Sequence, residues 1–261
     1  MTAKSLLFTA DDFGYSSDVN AAVAQAHREG VLRFASLMVG RPAAAEAAAI
    51  ARELPGLGVG LHLELCADQP EKAGLRYFFD AKARAGVEGE IRAQIEAMLK
   101  LGLKPTHADG HTNVHVHPVI FPALCRLARE YGIPRVRLPG GELSVSLGYP
   151  ADSDPILPRL ALAGTFAAMR AWISGAARGL QVPRTWGALR SGRMTEDYVL
   201  WLLRNLSDGL TEIYCHPCAD PSSAVADRAT ATHQTITELR MLTSPRVREA
   251  IAAAGITLIS V

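Results

Sequence analysis

Short apolar runs alternate with longer helical stretches along the whole chain, and this alternation limits the folds open to it. Several of the runs are nearly continuous, as in parallel strands buried on both faces of a sheet. Repeated strand–helix units favour an α/β protein, and we predict a distorted (β/α) barrel of about seven or eight parallel strands, with a doubly wound open sheet as the alternative. The predicted strands are Ser5–Thr9, Phe34–Val39, Gly58–Leu63, Pro105–Ala108, Pro134–Leu138, Arg184–Ala188, Glu212–Cys215 and Ile256–Val261.

The helical stretches between these strands carry signals for where helices begin and end. Serine or proline at the start and glycine after the end are typical of helix termini. The predicted helices are Ser17–Arg28, Pro42–Glu53, Glu88–Leu101, Pro118–Tyr131, Thr195–Leu206 and Pro245–Ala254. Residues 139–183 depart from the alternation. We therefore predict a single barrel domain over residues 1–261, with an irregular and helical insertion at about 139–183 over one end of it.

Composition and charge exclude several classes of protein. The 261 residues are 49% hydrophobic and 20% charged, which excludes intrinsic disorder. Lysine and arginine number 27 against 26 aspartates and glutamates, for a net charge of +1. The chain as a whole therefore lacks the positive charge that would attract nucleic acid or an anionic membrane, although the sequence does not exclude a local basic patch. We therefore expect no nucleic-acid partner.

Two apolar stretches bear on cellular location. Leu6–Phe8 is far shorter than the apolar core of a signal peptide. Leu157–Leu180 is interrupted by Arg159, Arg170 and Arg178, so it falls short of a continuous membrane span. We expect a cytoplasmic protein without a transmembrane segment. A homo-oligomer is compatible with the sequence, which carries no signal for one.

Three polar clusters lie where predicted strands end. Asp11 and Asp12 follow the first strand, His62 lies in the third, and His111 belongs to a histidine-rich run over residues 106–117. Because the carboxyl ends of parallel barrel strands share one face, we expect these residues to meet. Adjacent carboxylates with imidazoles are a ligand set for a divalent metal, and we predict one ion: Mg, Zn, Mn or Co. A second carboxylate would then be free to act as a general base.

Each of these residues also has a purely structural interpretation. Asp11 and Asp12 suit the cap of the following helix. His62, in an apolar run, suits a hydrogen-bonded core histidine, and the later histidines suit a surface loop. The functional interpretation rests on the coincidence of all three clusters at strand ends.

A fourth cluster follows the seventh predicted strand, where His216 lies between Cys215 and Cys218. A redox cysteine pair needs its first thiol at the start of a helix, and a structural zinc site needs a second pair of ligands; the sequence shows neither. His216 is the stronger candidate, either as a general acid or as a substrate ligand on the presumed active face.

Together the clusters resemble the YdjC-like carbohydrate deacetylases, a family that includes chitooligosaccharide deacetylase and the deacetylase associated with hopanoid biosynthesis. The matching motifs are ADDFG at 10–14, GLH at 60–62, the run from 106 to 118 and CHP at 215–217, with further likeness in the tail. The resemblance implies a distorted (β/α) barrel that hydrolyses N-acetyl groups on amino sugars.

The resemblance also implies roles for individual positions. Asp12, His62 and His111 match the metal ligands. Asp11 matches the neighbouring carboxylate that acts as the base. His216 matches the late histidine of the site, and as an imidazolium it is a candidate to protonate the leaving amine.

Candidate substrate contacts are defined less sharply. His115 and Asp109 lie inside the matching run, and Trp186 suits either stacking on a sugar ring or packing in the core. The apolar stretch Ile156–Leu180 suits either core packing or a lid for an apolar aglycone. The expected substrate is an N-acetylated amino sugar, either in an oligosaccharide or as lipid-linked or hopanoid-linked N-acetylglucosamine.

Two other functions fit the same residues. A metal-dependent phosphoesterase or another amidase would use the same ligands on the same barrel. A phosphate substrate calls for cations near the site, and the candidates are Arg137, Arg184, Arg190 and Arg193. The other alternative is a non-catalytic sugar- or lipid-binding protein. The complete set of Asp11, Asp12, His62 and His111 argues against it.

Overall fold

The first strand, β1 (Lys4–Phe13), lies inside a parallel sheet in the computed structural model, which describes residues 3–65, 70–151, 154–220 and 236–261. The other strands are β2 (Phe34–Leu37), β3 (Gly58–Leu63), β4 (Ala108–Gly110), β5 (Arg184–Trp186), β6 (Gly209–Cys215) and β7 (Thr257–Leu258). The sheet order is β4-β3-β2-β1-β6-β5. The strand β7 pairs with the amino half of β1, and β2 pairs with its carboxyl half.

Helices flank this sheet and alternate with its strands. They are α1 (Ser17–Glu29), α2 (Ala44–Glu53), α3 (Pro70–Phe79), α4 (Ala81–Lys100), α5 (Ile120–Glu130), α6 (Leu143–Leu147), α7 (Ile156–Ile173), α8 (Glu196–Arg204), α9 (Ile236–Thr243) and α10 (Pro245–Ala253). Single 3-10 turns cover His111–Val116 and Ser174–Ala177. The helix α4 begins seven residues before the predicted start, because the Asp80 side chain accepts hydrogen bonds from the backbone N–H groups of Lys82 and Ala83.

The distorted barrel is confirmed, but the fifth predicted strand, over Pro134–Leu138, is wrong. Within the described residues it makes only single bridges, Ala108 with Val136 and Arg135 with Gln181. Pro134 and Pro139 have no N–H to donate, so the ladder cannot extend at either end of the segment. The segment still spans the gap between β4 and the stretch before β5, and in this way it completes the curved wall.

The segment 139–183 contains α6, α7 and the second 3-10 turn. Only 17% of the apolar window within Ile156–Ala177 is buried, and this helical stretch is long and apolar enough to cross a membrane by length and composition alone. Core packing of α7 is therefore limited to one stripe that includes Phe166 and Ile173, and the rest of its apolar side chains are exposed or partly buried. The assignment of this segment as an insertion in a single domain stays a prediction.

Candidate functional site

Asp11 and Asp12 lie at the end of β1, where its pairing with β2 is irregular. The register shifts between Ala10 and Phe13, and Asp12 has a φ of 64°, in the left-handed region. In a regular strand, consecutive side chains point to opposite faces of the sheet. The irregular backbone instead lets both carboxylates line one cavity, with backbone strain held at Asp12.

Asp12, His62 and His111 converge on the wall of this cavity. Asp12 Oδ1 lies 3.1 Å from His111 Nδ1 and 3.4 Å from His62 Nε2. The three donor atoms all lie within 4.8 Å of one another. Burial opposes the charge on Asp12, but hydrogen bonds from the two imidazoles hold the pKa of its carboxyl well below the usual range. Two imidazoles and one carboxylate beside an open cavity fit a divalent metal that keeps positions for water and substrate.

A buried chain of hydrogen bonds orients His62 from behind. His62 Nδ1 lies 2.7 Å from Asp109 Oδ1, and the Ser36 hydroxyl donates to Asp109 Oδ2 at 2.7 Å. His107 Nε2 lies 3.0 Å from the Ser36 oxygen. With Nδ1 engaged by Asp109, Nε2 is the nitrogen that faces Asp12. Burial opposes protonation of His62, but the carboxylates of Asp11 and Asp109 raise its pKa to about 10.

Gly60 makes room for this chain. A Cβ atom at that position would lie 2.5 Å from the His107 ring, closer than side-chain atoms approach each other. Only glycine therefore fits two residues before His62 without displacing the hydrogen-bonded chain. The close approach of the His107 ring explains why the GLH motif has glycine at its first position.

Arg137 joins three buried carboxylates on the other side of the site. Its guanidinium donates to both oxygens of Asp11, at 2.6 and 2.8 Å. It also lies 2.9 Å from Asp109 Oδ2 and 2.9 Å from Glu212 Oε1. Burial raises the pKa of Asp11 against the opposing effect of Arg137. The guanidinium fixes the orientation of the Asp11 carboxylate, which is adjacent to Asp12, a candidate metal ligand.

His216 enters the cavity from the end of β6. Its Nε2 lies 3.9 Å from Asp11 Oδ2, and its Nδ1 lies 3.4 Å from the Ser191 hydroxyl. Burial lowers the pKa of this imidazole against the attraction of Asp12 and Asp11. The buried Glu238 carboxylate accepts hydrogen bonds from the backbone N–H groups of His216 and Met194. Glu238 therefore ties the His216 loop to the segment that carries Ser191.

The cavity itself has a volume of about 290 Å³. Its wall also includes Thr112, Asn113, Leu162, Phe166, Ser191 and Tyr214. Thr112 and Asn113 both have positive φ, at 52° and 57°, so the 3-10 turn that starts at His111 kinks and presents them to the cavity. The Asn113 amide donates to the Tyr214 hydroxyl at 3.3 Å. No lysine or arginine of the described residues lines this wall.

The three predicted substrate-binding residues do not line the cavity. Asp109 is fully buried and bonded to His62 and Arg137. His115 is fully buried, with Nε2 3.1 Å from the Arg137 carbonyl oxygen. Trp186 is 3% exposed, and its indole N–H donates to the Gly141 carbonyl oxygen. Their positions favour support of the site over contact with the substrate.

The cysteines and the candidate phosphate-binding arginines do not form a second site among the described residues. Burial raises the thiol pKa of both Cys215 and Cys218, and neither belongs to a metal-ligand group among the described residues. Of the predicted phosphate-binding cations, Arg137 is held by three carboxylates, and Arg190 and Arg193 pair with Asp154.

Sequence reasoning missed Glu212 and Glu238, and it named Arg137 only as a candidate cation for a phosphate substrate. Each is a charged residue in or beside an apolar stretch. A charge that such a stretch will bury needs a partner, and that was the available signal. Which partner it finds depends on the fold.

Comparison with known proteins finds a family and named relatives that this chain resembles. A family model described as YdjC-like protein matches residues 5–253. A protein of Geobacillus stearothermophilus named carbohydrate deacetylase is 32% identical over 271 residues, which cover 97% of this chain and 95% of the relative. Another carbohydrate deacetylase, from Brevibacillus brevis, is 41% identical over 147 residues, and this alignment spans 51% of the chain and 59% of the relative.

A solved structure shares the same architecture. It is a proposed cellobiose-phosphate cleavage protein from Enterococcus faecalis V583, with a TM-score of 0.70 and 24% sequence identity. The match covers 99% of this chain and 97% of the other. At that level of identity the likeness supports the fold alone.

Proposed function

The chain belongs to the YdjC-like family, and we propose that it is a metal-dependent hydrolase that removes the N-acetyl group from an amino sugar. The observation that carries this proposal is the convergence of Asp12, His62 and His111 beside an open cavity, with Asp11 next to them. The names of the curated relatives agree with it.

We assign the cation to Asp12, His62 and His111, with Asp109 orienting His62 through Nδ1. One divalent ion held there, whether Mg, Zn, Mn or Co, would polarise the acetamide carbonyl and lower the pKa of a water molecule. Asp11 lines the same cavity, and Arg137 holds its carboxylate in a fixed orientation. In the proposed mechanism Asp11 accepts the proton of the attacking water.

His216 is the proposed donor to the leaving nitrogen. Because burial lowers its pKa, the resting imidazole is neutral at pH 7 and must gain a proton before it can give one. Asp11 Oδ2 lies 3.9 Å from His216 Nε2, so the proton that Asp11 accepts has a short path to this imidazole. Transfer from His216 to the amine then breaks the amide and leaves acetate and a free amino sugar.

The wall of the cavity combines polar and apolar side chains that a sugar would meet. Asn113, Ser191 and Tyr214 offer polar groups for hydroxyls of the ring, whereas Leu162 and Phe166 of α7 make one side of the cavity apolar. This mixed wall suits N-acetylglucosamine in an oligosaccharide or linked to a lipid such as a hopanoid. A cytoplasmic location and the oligomeric state stay predictions.

A phosphoesterase on the same barrel is less well supported. Arg137 is engaged by carboxylates, and no lysine or arginine of the described residues lines the cavity. A phosphate ester would therefore rely on the metal alone for its charge. Acetamide, which is neutral, does not need such cations.

The test is acetate release from chelator-treated protein after each metal is added back. The panel contains N-acetylglucosamine, diacetylchitobiose and a lipid-linked N-acetylglucosamine. We expect metal-dependent release that His62→Ala abolishes, and that the control His27→Ala, on α1 and outside the cavity, retains. Bound metal without acetate release from any member of the panel would contradict the proposal.

A further inference from the structure

Helix α7 is attached to the protein by one narrow stripe. Arg159, Phe166 and Ile173, spaced seven residues apart, are its buried residues. Leu157 is 74% exposed and Trp172 is 66% exposed, and these two residues lie near opposite ends of the helix. The other exposed large apolar side chains are Ile156, Leu160 and Leu162. Exposed apolar side chains gathered on one helix mark a place where another apolar phase binds.

The charges on this segment all have one sign. Residues 155–184 contain four arginines and no aspartate or glutamate. Arg159 is buried and Arg170 and Arg184 are partly buried, so Arg178 is the exposed arginine of the four. Arg178 is exposed just beyond the helix, in the turn after Trp172. An apolar helix face that ends in tryptophan and arginine is typical of helices that lie in the headgroup region of a membrane and attract anionic lipids.

Helix α7 also contributes to the wall of the candidate active site. Leu162 and Phe166 of α7 line the cavity, and both α7 and α3 pack against the 3-10 turn that begins at His111. The helix α3 adds Leu75 at 63% and Phe79 at 82% exposure. Exposed apolar side chains therefore belong to both helices that flank this turn.

We propose that α7 is a docking surface for an anionic lipid bilayer, on which the helix lies flat with Leu157 and Trp172 at the boundary between headgroups and acyl chains. Spanning the bilayer would detach the stripe of Arg159, Phe166 and Ile173 from the barrel. A second copy of the chain fits this surface less well. A twofold interface places the same patch against itself, and the arginines would then meet no acidic partner from this segment.

The experiment measures co-sedimentation of the full chain with vesicles of phosphatidylcholine, with and without phosphatidylglycerol. We expect binding to the anionic vesicles, weakened about tenfold or more by Leu157→Glu with Trp172→Glu. The matched control is Leu99→Glu, an exposed apolar residue on α4, which keeps binding. Arg178→Glu weakens binding to the anionic vesicles only.

Several results would overturn the docking proposal. One is the lack of binding to either vesicle, and another is equal loss of binding in the Leu99→Glu control. A third is a dimer that the double variant converts to a monomer without any vesicle binding by the native chain, which would assign the surface to a contact between copies. If the double variant unfolds, a blue shift of native tryptophan emission on vesicles that Trp172→Phe removes is the second readout. Neither assay uses substrate or metal, so failure here leaves the proposed deacetylase untouched.

Discussion

Arg137 binds both carboxylate oxygens of Asp11, with Nη1 2.6 Å from Oδ2 and Nη2 2.8 Å from Oδ1. The same guanidinium contacts Asp109, which orients His62, and Glu212 on β6. One buried cation, the Arg137 guanidinium, therefore connects the proposed base Asp11 to Asp109, which orients the proposed metal ligand His62. Activation of water by Asp11 and support of the metal site through Asp109 therefore both depend on Arg137.

Replacing Arg137 with alanine is expected to destabilise the fold strongly. Three buried carboxylates would lose their common cation, and removal of one partner from a buried ion pair costs roughly 3–5 kcal/mol. The measurement is the free energy of unfolding in urea. Arg246→Ala is the control, because its pair with Glu196 is exposed and should change stability little. Equal losses in the two variants would contradict this account of Arg137.

Asp11→Asn is expected to keep the metal and lose the reaction. The amide retains the shape of the carboxylate but cannot accept the proton of the attacking water. We expect acetate release to fall about 100-fold or more while the metal content per chain stays unchanged. Near-full activity in this variant would show that Asp11 is not the base.

Asp109→Asn is expected to weaken metal binding. Loss of the carboxylate behind a metal-ligating histidine typically costs about 10- to 100-fold in affinity. The measurement is a competition titration with a chromogenic chelator. Asp197→Asn on α8, whose side chain is 71% exposed, is the control and should bind metal normally. If Asp109→Asn bound the metal with unchanged affinity, Asp109 would not be the residue that orients His62 for metal binding.

Glu238 is expected to make stability depend on pH. Burial raises the pKa of its carboxyl to about 7, against an ordinary value of 4.5. Below pH 4.5 the group is protonated in both folded and unfolded chains, and its contribution to stability is fully present. As the pH rises towards 7 the unfolded chain ionises first, so the free energy of unfolding falls by roughly 3 kcal/mol.

The matched variant for this prediction is Glu238→Gln. It should lack that fall, so the stability difference between variant and native protein should grow in favour of the variant between pH 4.5 and 7. Urea denaturation at a series of pH values measures it. Parallel stability curves for the two proteins would show that Glu238 does not titrate in this window.

Much of the fold could be predicted because short apolar runs in the sequence indicate buried strands. The bounds of β3 match the prediction, whereas β4 lies at Ala108–Gly110 and not at Pro105–Ala108. The polar residue Asp109 interrupts the apolar pattern, so the sequence does not indicate a strand there. The strand forms because Leu61–Leu63 of β3 pair with residues 108–110. The helix α7 was ambiguous for the opposite reason, since apolar composition does not reveal whether a face is covered.

The candidate site could be predicted only in part. The structure brings Asp11, Asp12, His62 and His111 together, as the common face of parallel strands requires. The role of Arg137 as their support could not be foreseen, because its three partners come from β1, β4 and β6. Buried ion pairs between distant strands leave no local pattern in the sequence.

The most direct test of the central claim follows acetate release while metal is titrated into metal-free protein, with the best substrate of the panel. We expect activity to rise with added metal and to level off at one bound ion per chain. The variants Asp12→Ala and His111→Ala should neither bind the ion tightly nor release acetate. Full activity in the metal-free protein, or tight binding and activity in both variants, would contradict the assignment of this site.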